Sequence, residues 1–150
     1  MTDNEKPRQT FGKKERIVSK KTLEKLFGGG SHSMVAYPIR MVFMTVESAE
    51  VPVQVLVSVS KRHFKRAVKR NRVKRQIREA YRKNKGPIVE AATSVGRNYA
   101  LAFIYMADEL FPSKTIDEGV AKLITRLGEK ITYKHREHPK EKTNDERGIQ

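Results

Sequence analysis

Apolar residues recur along the chain with two periods, one typical of helices and one of strands. Within residues 73–84 they follow the i, i+4, i+7, i+8 spacing of one helix face, with Asn84 next in register. The residues of this stripe are Val73, Ile77, Ala80 and Tyr81. The spacing predicts a helix that docks on a core. Residues 61–67 do not continue the stripe, and we expect them to form an irregular loop.

Three other segments have the patterns of β-strands. In residues 37–46 and 53–60, alternate side chains are apolar, which predicts two strands joined by a turn at 47–52. Residues 99–105, with the sequence YALAFIY, form a short apolar run. Such runs are typical of strands that are buried on both faces, so this segment is predicted to be a central strand.

Helices are predicted near both ends and after the basic segment. Ser19 can cap a short helix that runs to Phe27 and is stopped by three glycines, and Thr115 begins a helix with one apolar face. Residues 88–95 can form a further helical turn or two. The predicted order is αβββαβα or close to it. This order indicates a single α+β sandwich domain with a mostly antiparallel four-stranded sheet and a βαβ crossover through the basic helix.

The ends of the chain differ from its middle in composition. Residues 1–12 and 135–150 are polar and charged with few aliphatic side chains, so we expect both to be disordered around a domain at 13–134. The chain contains no cysteine, which excludes disulfides and thiolate metal sites. It has no apolar span of membrane length and no secretory signal, and we expect a cytoplasmic protein without a membrane partner.

Charge changes the interpretation of the helix at residues 73–84. The net charge is +15 and the isoelectric point is about 10.2. Residues 61–85 hold thirteen Lys and Arg against one acid, Glu79. Five of these cations share the face opposite the apolar stripe, where they repel one another unless an anion is present: Lys74, Arg75, Arg78, Arg82 and Lys85. The pattern favours a nucleic-acid partner over a merely solvated basic face.

Residue types that would support catalysis by the polypeptide are poorly placed. The four histidines have no convergent spacing with carboxylates, and the acids occur in turns or at a helix start. No phosphate-binding glycine loop or nucleophile motif is present. We therefore expect no catalytic residue and no metal site made by the protein. Phe27 and Phe43 are either core residues or the sides of a groove that stacks unpaired bases.

The order of motifs resembles that of the protein subunit of bacterial ribonuclease P. The similarity rests on Ser58–Lys61 and Ala67–Arg75, which contain an Arg-Asn-Arg core at Arg70, Asn71 and Arg72, followed by the IREAY segment at 77–81. A short helix and two strands precede these motifs, and a strand and an amphipathic helix follow them. The resemblance covers about residues 13–133.

This resemblance implies a fold, a function and partners. The family fold is similar to domain 2 of ribosomal protein S5 and has a left-handed crossover, against the right-handed rule for such units. The implied function is to bind a catalytic RNA and the 5′ leader of precursor tRNA and to assist endonucleolytic removal of that leader. The implied Mg²⁺ ions are held by the partner RNA and the substrate, and no protein partner is required.

The resemblance also implies two sets of binding residues. Contacts to the catalytic RNA are carried over to a set in and before the basic helix: Lys61, Lys69, Arg70, Asn71, Arg72, Lys74, Arg75 and Arg78. A cleft for the leader, between the first helix and the sheet, is carried over to Leu23, Phe27 and Phe43. Leu23 stands where the family often has an aromatic residue, so stacking is expected to rest mainly on Phe27.

The segment before the basic helix departs from the family pattern. Lys65 stands where a glycine is common, and the segment 61–67 is one residue longer, so its path is expected to differ.

A ribosomal-type or general RNA-binding chaperone would need only charge-driven binding. An autonomous nuclease would need a catalytic constellation that the sequence does not offer.

Overall fold

A four-stranded sheet with helices on both faces forms the protein. The structure is a computed structural model and describes residues 12–17, 19–29, 31–47 and 51–137. After a 3₁₀ turn at Lys13–Glu15, the elements in chain order are α1 (Lys20–Phe27), β1 (His32–Ala36), β2 (Ile39–Val46), β3 (Val53–Ser58), α2 (Ala67–Asn84), α3 (Gly86–Val95), β4 (Asn98–Tyr105) and α4 (Ser113–Glu137).

The sheet has the strand order β1-β2-β4-β3, with β4 between β2 and β3. β4 runs antiparallel to β2, where Leu101 faces Phe43, and parallel to β3, where Leu101 faces Val55. The central position predicted for residues 99–105 is therefore confirmed. The sequence placed only two of the three strands before the basic helix, and β1, paired with β2, is the one that it did not locate.

Most of the apolar core lies on one face of the sheet. Ile39 and Met41 of β2 share a buried cluster with Ile77 of α2, Ile88 of α3 and Leu123 of α4. All five side chains are fully buried. The predicted apolar faces of α2 and α4 are both confirmed by their burial in this cluster. Burial of this apolar stripe holds α2 in place and leaves its remaining faces for other contacts.

The other face of the sheet is covered in part by α1. Ser19 caps α1 as predicted, because its hydroxyl accepts a hydrogen bond from the Thr22 amide at 3.3 Å. Leu26, 1% exposed, packs in a small cluster with Val42, Met44, Ala100 and Ala102. The two alanines on β4 leave room for the helix to approach the sheet, and Ile17 of the N-terminal segment, 6% exposed, covers another part of the same face.

The crossover from β3 to β4 contains two helices. α3 follows α2 after one residue and ends at Gly96, whose φ of 72° is a left-handed conformation that glycine adopts without strain. The helical turns predicted at 88–95 are thus a complete helix, which the order αβββαβα did not include. The parallel pairing of β3 with β4 confirms the crossover unit.

The ends of the domain differ slightly from the predicted limits. α4 begins at Ser113, two residues before Thr115, and continues to Glu137, so helix extends into the segment 135–150 that was expected to be disordered. Residues 1–11 and 138–150 lie outside the described residues, and the predictions made for them stay predictions. Among the described helices, none combines the length and the hydropathy that crossing a bilayer requires.

Candidate nucleic-acid interface

The cations of α2 surround a stripe that is fully packed. Val73, Ile77 and Tyr81 are 0% exposed and Ala80 is 2% exposed, so the helix cannot rotate to hide its charges. The pKa of Tyr81 is raised by burial of its hydroxyl and, to a smaller extent, by the negative charge of Glu15. The predicted division of this helix into a docking face and a charged surface is confirmed.

One flank of α2 faces the N-terminal segment. Asn71, Lys74 and Arg78 follow one another at helical spacing along this flank. Burial first, and then the positive charge of Arg16, lower the pKa of Arg78. An anion that binds here would relieve the repulsion between these two cations.

The remaining predicted contacts of α2 lie elsewhere on its surface. Arg72 is exposed on the flank that faces α4, where Gln76 donates to the Phe111 carbonyl at 3.2 Å and to the Ser113 hydroxyl at 3.0 Å. Arg75 is exposed between the two flanks. The predicted residues therefore form a band around the solvent side of α2 and not a single row.

The charges of α2 are neutralised unevenly within the protein. The Arg82 guanidinium lies 2.6 Å from the Glu79 carboxylate, and its hydrogen bond lowers the pKa of Glu79. Lys85 donates to both carboxylate oxygens of Glu15 at 2.9 and 3.0 Å. In contrast, the side chains of Asn71, Arg72, Lys74 and Arg75 form no hydrogen bond or ion pair within the described part of the chain. These four polar groups are available to a partner.

Arg70 differs from the other predicted contacts. One terminal nitrogen of its guanidinium donates to the Phe64 carbonyl at 2.7 Å and to the Lys65 carbonyl at 2.9 Å. The side chain is half-buried and points back at the loop that enters α2. Lys61 in that loop and Lys69 in the first turn of α2 are exposed.

The N-terminal segment adds a cation that the sequence interpretation missed. Ile17 donates its amide to the Val55 carbonyl at 3.1 Å, and Arg16 forms a parallel bridge with Val55. This pairing fixes Arg16 beside Arg78 of α2. The run GKKER, directly before an apolar residue, is a signal in the sequence that could have indicated a basic segment docked on a sheet edge.

The sheet face beside α1 is only partly covered, and we refer to this region as the groove beside α1. Phe27, the last residue of α1, is 51% exposed, and Leu23 is half-buried one turn before it. The register places Arg40, Ile104 and Ser58 side by side on the part of this face that α1 leaves uncovered. Phe27 thus forms an aromatic edge of the groove, Ile104 and Ser58 form part of its floor, and Arg40 adds a positive charge.

The prediction that Phe43 lines this groove is wrong. Phe43 is 6% exposed and belongs to the main core on the opposite face of the sheet, where its ring lies 5.5 Å from the His32 ring. Its neighbours Val42 and Met44 are the residues of β2 that face α1. Both alternating sets of β2 are apolar, and the sequence pattern could not tell which set faces which helix.

The described residues contain no group of three or more His, Cys, Asp or Glu side chains placed to hold a metal ion. The Nδ1 atom of His63 lies 2.6 Å from the Asp108 carboxylate, and this pair joins two loops. The structure presents two separate surfaces, which are the cationic band on α2 and the groove beside α1 on the other face of the sheet.

Comparisons with known proteins find relatives of this chain in sequence and in fold. Residues 11–126 match the family model described as Ribonuclease P. The chain is 38% identical over 121 residues to the ribonuclease P protein component of Porphyromonas gingivalis, covering 79% of this chain and 88% of that one. Solved RNase P proteins from Thermotoga maritima and Staphylococcus aureus share its fold with a TM-score of 0.59, at 20% and 19% identity, covering 75% of this chain and 96% and 94% of theirs.

Proposed function

Because this chain belongs to the ribonuclease P protein family, we propose that it binds the catalytic RNA of ribonuclease P through α2 and the 5′ leader of precursor tRNA through the groove beside α1. It is the protein component of a tRNA-processing enzyme. The alternative of a general RNA-binding chaperone is not favoured by this family membership. The proposed reaction is endonucleolytic hydrolysis of the phosphodiester bond that joins the leader to the tRNA.

The cationic band on α2 is the observation that carries this proposal. Arg72, Lys74 and Arg75 keep their charges without an acidic partner in the described residues, on a helix that its buried stripe holds in one orientation. Cations fixed in this way bind phosphates and release the counterions of the RNA, which favours binding. We assign Asn71, Arg78, Lys69 and Lys61 to the same surface. The amide of Asn71 adds hydrogen bonds that a further lysine would not supply.

The groove beside α1 suits single-stranded RNA. A base can stack on Phe27, because half of that side chain is exposed, and the leader can continue across the sheet face past Leu23 toward Arg40. Stacking tolerates different bases, since every base has a π-face. The two surfaces lie on different elements, so the protein can hold the catalytic RNA and the leader at the same time.

The protein contributes binding and orientation to the reaction. Phosphates of the catalytic RNA and the substrate would hold the Mg²⁺ ions, which prefer phosphate and water oxygens and supply Lewis-acid and nucleophile chemistry. The band on α2 lowers the repulsion between the two RNAs, and the groove fixes the leader on one side of the scissile bond. We expect the protein to act in the cytoplasm.

The proposal is tested by reconstitution. The purified protein, added to a bacterial ribonuclease P RNA, is expected to raise the rate of 5′ cleavage of precursor tRNA at low millimolar Mg²⁺ above that of the RNA alone. The protein alone is expected to cleave nothing. If cleavage is unchanged by the protein across several catalytic RNAs, the proposed function is wrong, and cleavage by the protein alone would support an autonomous nuclease.

Replacing Phe27 with alanine is expected to weaken the preference of the reconstituted enzyme for substrates with a leader. One lost stacking contact corresponds to about 1 to 3 kcal/mol, and we therefore expect a loss of roughly fivefold or more in affinity for precursor tRNA relative to mature tRNA. Tyr133→Ala is the matched control, because Tyr133 is 60% exposed on α4 across the sheet. An equal loss in both variants would mean that the groove does not hold the leader.

A further inference from the structure

The loop between β3 and α2 carries four exposed cations on a fixed backbone. Its cationic residues are Lys61, Arg62, Lys65 and Arg66. The backbone turns over Ser60, whose carbonyl accepts hydrogen bonds from the amides of His63 at 3.1 Å and Phe64 at 3.4 Å, and whose hydroxyl accepts one from the Arg62 amide at 3.0 Å. A segment with this much like charge would spread out unless other groups held it.

Two side chains of the loop tie it to the connection between β4 and α4. Phe64 is 5% exposed, and its ring lies 6.0 Å from that of Tyr105, whose hydroxyl donates to the Glu109 carbonyl at 2.8 Å. His63 pairs with Asp108 in the same connection. This side of the loop is therefore anchored in the core.

Arg70 ties the loop from its other side. It reaches back from the first turns of α2 and donates to two successive loop carbonyls, those of Phe64 and Lys65. Charge-assisted hydrogen bonds of this kind are the stronger ones, and the planar guanidinium holds the donating nitrogen more rigidly than a flexible lysine side chain would hold its ammonium. Together with the contacts of Phe64 and His63, these bonds hold the loop from both sides.

We propose that Arg70 is a positioning residue, which acts on the catalytic RNA through the loop at 61–66 and holds that loop as a preformed phosphate-binding element. The proposal rests on the proposed function above for the identity of the RNA. A loop that is ordered before binding does not lose conformational freedom on binding, and this raises the affinity of the cations it carries. Arg72, two residues later and exposed, differs because it contacts no loop carbonyl and acts on RNA directly.

The first experiment needs no RNA. The loop holds four trypsin sites, so limited trypsin digestion of the full chain, read by mass spectrometry, reports whether the loop opens. Arg70→Ala and Arg70→Lys are expected to raise cleavage at residues 61–66 at least fivefold, with cleavage after Lys122 and Lys130 in α4 unchanged. Arg72→Ala is the matched control and should digest like the native protein. Equal loop cleavage in all variants would overturn the proposal.

The second experiment is a double-mutant cycle on binding to a ribonuclease P RNA. If Arg70 acts through the loop, replacing Lys65 and Arg66 with alanine should weaken binding about tenfold in the native chain and less than threefold in Arg70→Ala. The same pair combined with Arg72→Ala should give the product of the separate effects. Arg70→Lys should bind nearly as weakly as Arg70→Ala, whereas Arg72→Lys should retain most of the affinity.

The outcomes separate the two proposals. The losses of affinity from Arg70→Ala and from the Lys65 and Arg66 pair could multiply, as they are expected to do for Arg72→Ala. That result, or an Arg70→Lys variant that binds RNA like the native chain, would show that Arg70 contacts the RNA directly and would overturn the positioning role. A native chain that binds no ribonuclease P RNA would overturn the proposed function alone, because the trypsin result would still decide whether Arg70 holds the loop. If a lowered melting temperature shows that Arg70→Ala is unfolded, both experiments are carried out with Arg70→Lys alone.

Discussion

Replacing Arg72, Lys74 and Arg75 with alanine is expected to abolish most binding of the catalytic RNA and to leave the fold intact. Charge-assisted contacts contribute about 1.5 to 3 kcal/mol each when they form, so losing three should lower the affinity on the order of 10³-fold or more at moderate salt. The slope of log K against log salt should fall by about 2 to 3, since each phosphate contact contributes about 0.7 to 0.9. Filter binding at several salt concentrations measures both quantities.

A second triple variant controls for the change in net charge. Lys122, Arg126 and Lys130 are exposed on α4, where Arg126 reaches the Val35 carbonyl of β1 and Lys130 lies over the Phe43 ring, away from α2. Their replacement with alanine removes the same three charges and should reduce affinity by no more than a few fold. Equal losses in the two variants would show that the RNA responds to total charge and that α2 holds no specific surface. Alanine favours helix, so both variants should fold.

The sequence was sufficient to predict the elements whose periodicity is set by a single buried face. Ile77 and Leu123 each lie in a clear helical stripe, and both are fully buried as expected. β1 has no such signal, since His32 and Ser33 are exposed and the strand lies at the sheet edge. The apolar run of β4 predicted that this strand is central, but the alternation within β2 and β3 did not predict which strands are its neighbours.

The site was predictable only as far as it depended on composition and motif order. The cationic band follows from the helical period of α2, so its residues could be named in advance. Lys85 and Glu15, which form a hydrogen bond, are 70 positions apart in the chain. The hydrogen bonds from Arg70 to the loop carbonyls depend on where Phe64 packs into the core. Such contacts form only after the chain has folded, and no local pattern encodes them.

Replacing Leu26 with alanine is expected to remove the leader-binding groove by loosening α1. Leu26 is 1% exposed against Val42, Met44 and the two alanines of β4, and deleting a buried leucine side chain costs about 2 to 5 kcal/mol of unfolding free energy. Because α1 makes few other apolar contacts with the sheet, Phe27 should lose its fixed position together with it. Urea unfolding followed by circular dichroism measures the first effect, and the preference for precursor over mature tRNA measures the second.

Two other substitutions on the same helix separate packing from contact with RNA. Phe27→Ala should leave the unfolding free energy within about 0.5 kcal/mol of native, since half of that side chain is already in solvent, yet it should lose leader preference. Leu26→Met keeps the buried volume and should restore both properties to within about 1.5 kcal/mol. A Leu26→Ala protein that unfolds like the native chain, or that keeps its leader preference, would show that α1 is not what holds the groove together. If instead both properties fall together and return together with methionine, burial of Leu26 is the link between the fold of α1 and the leader.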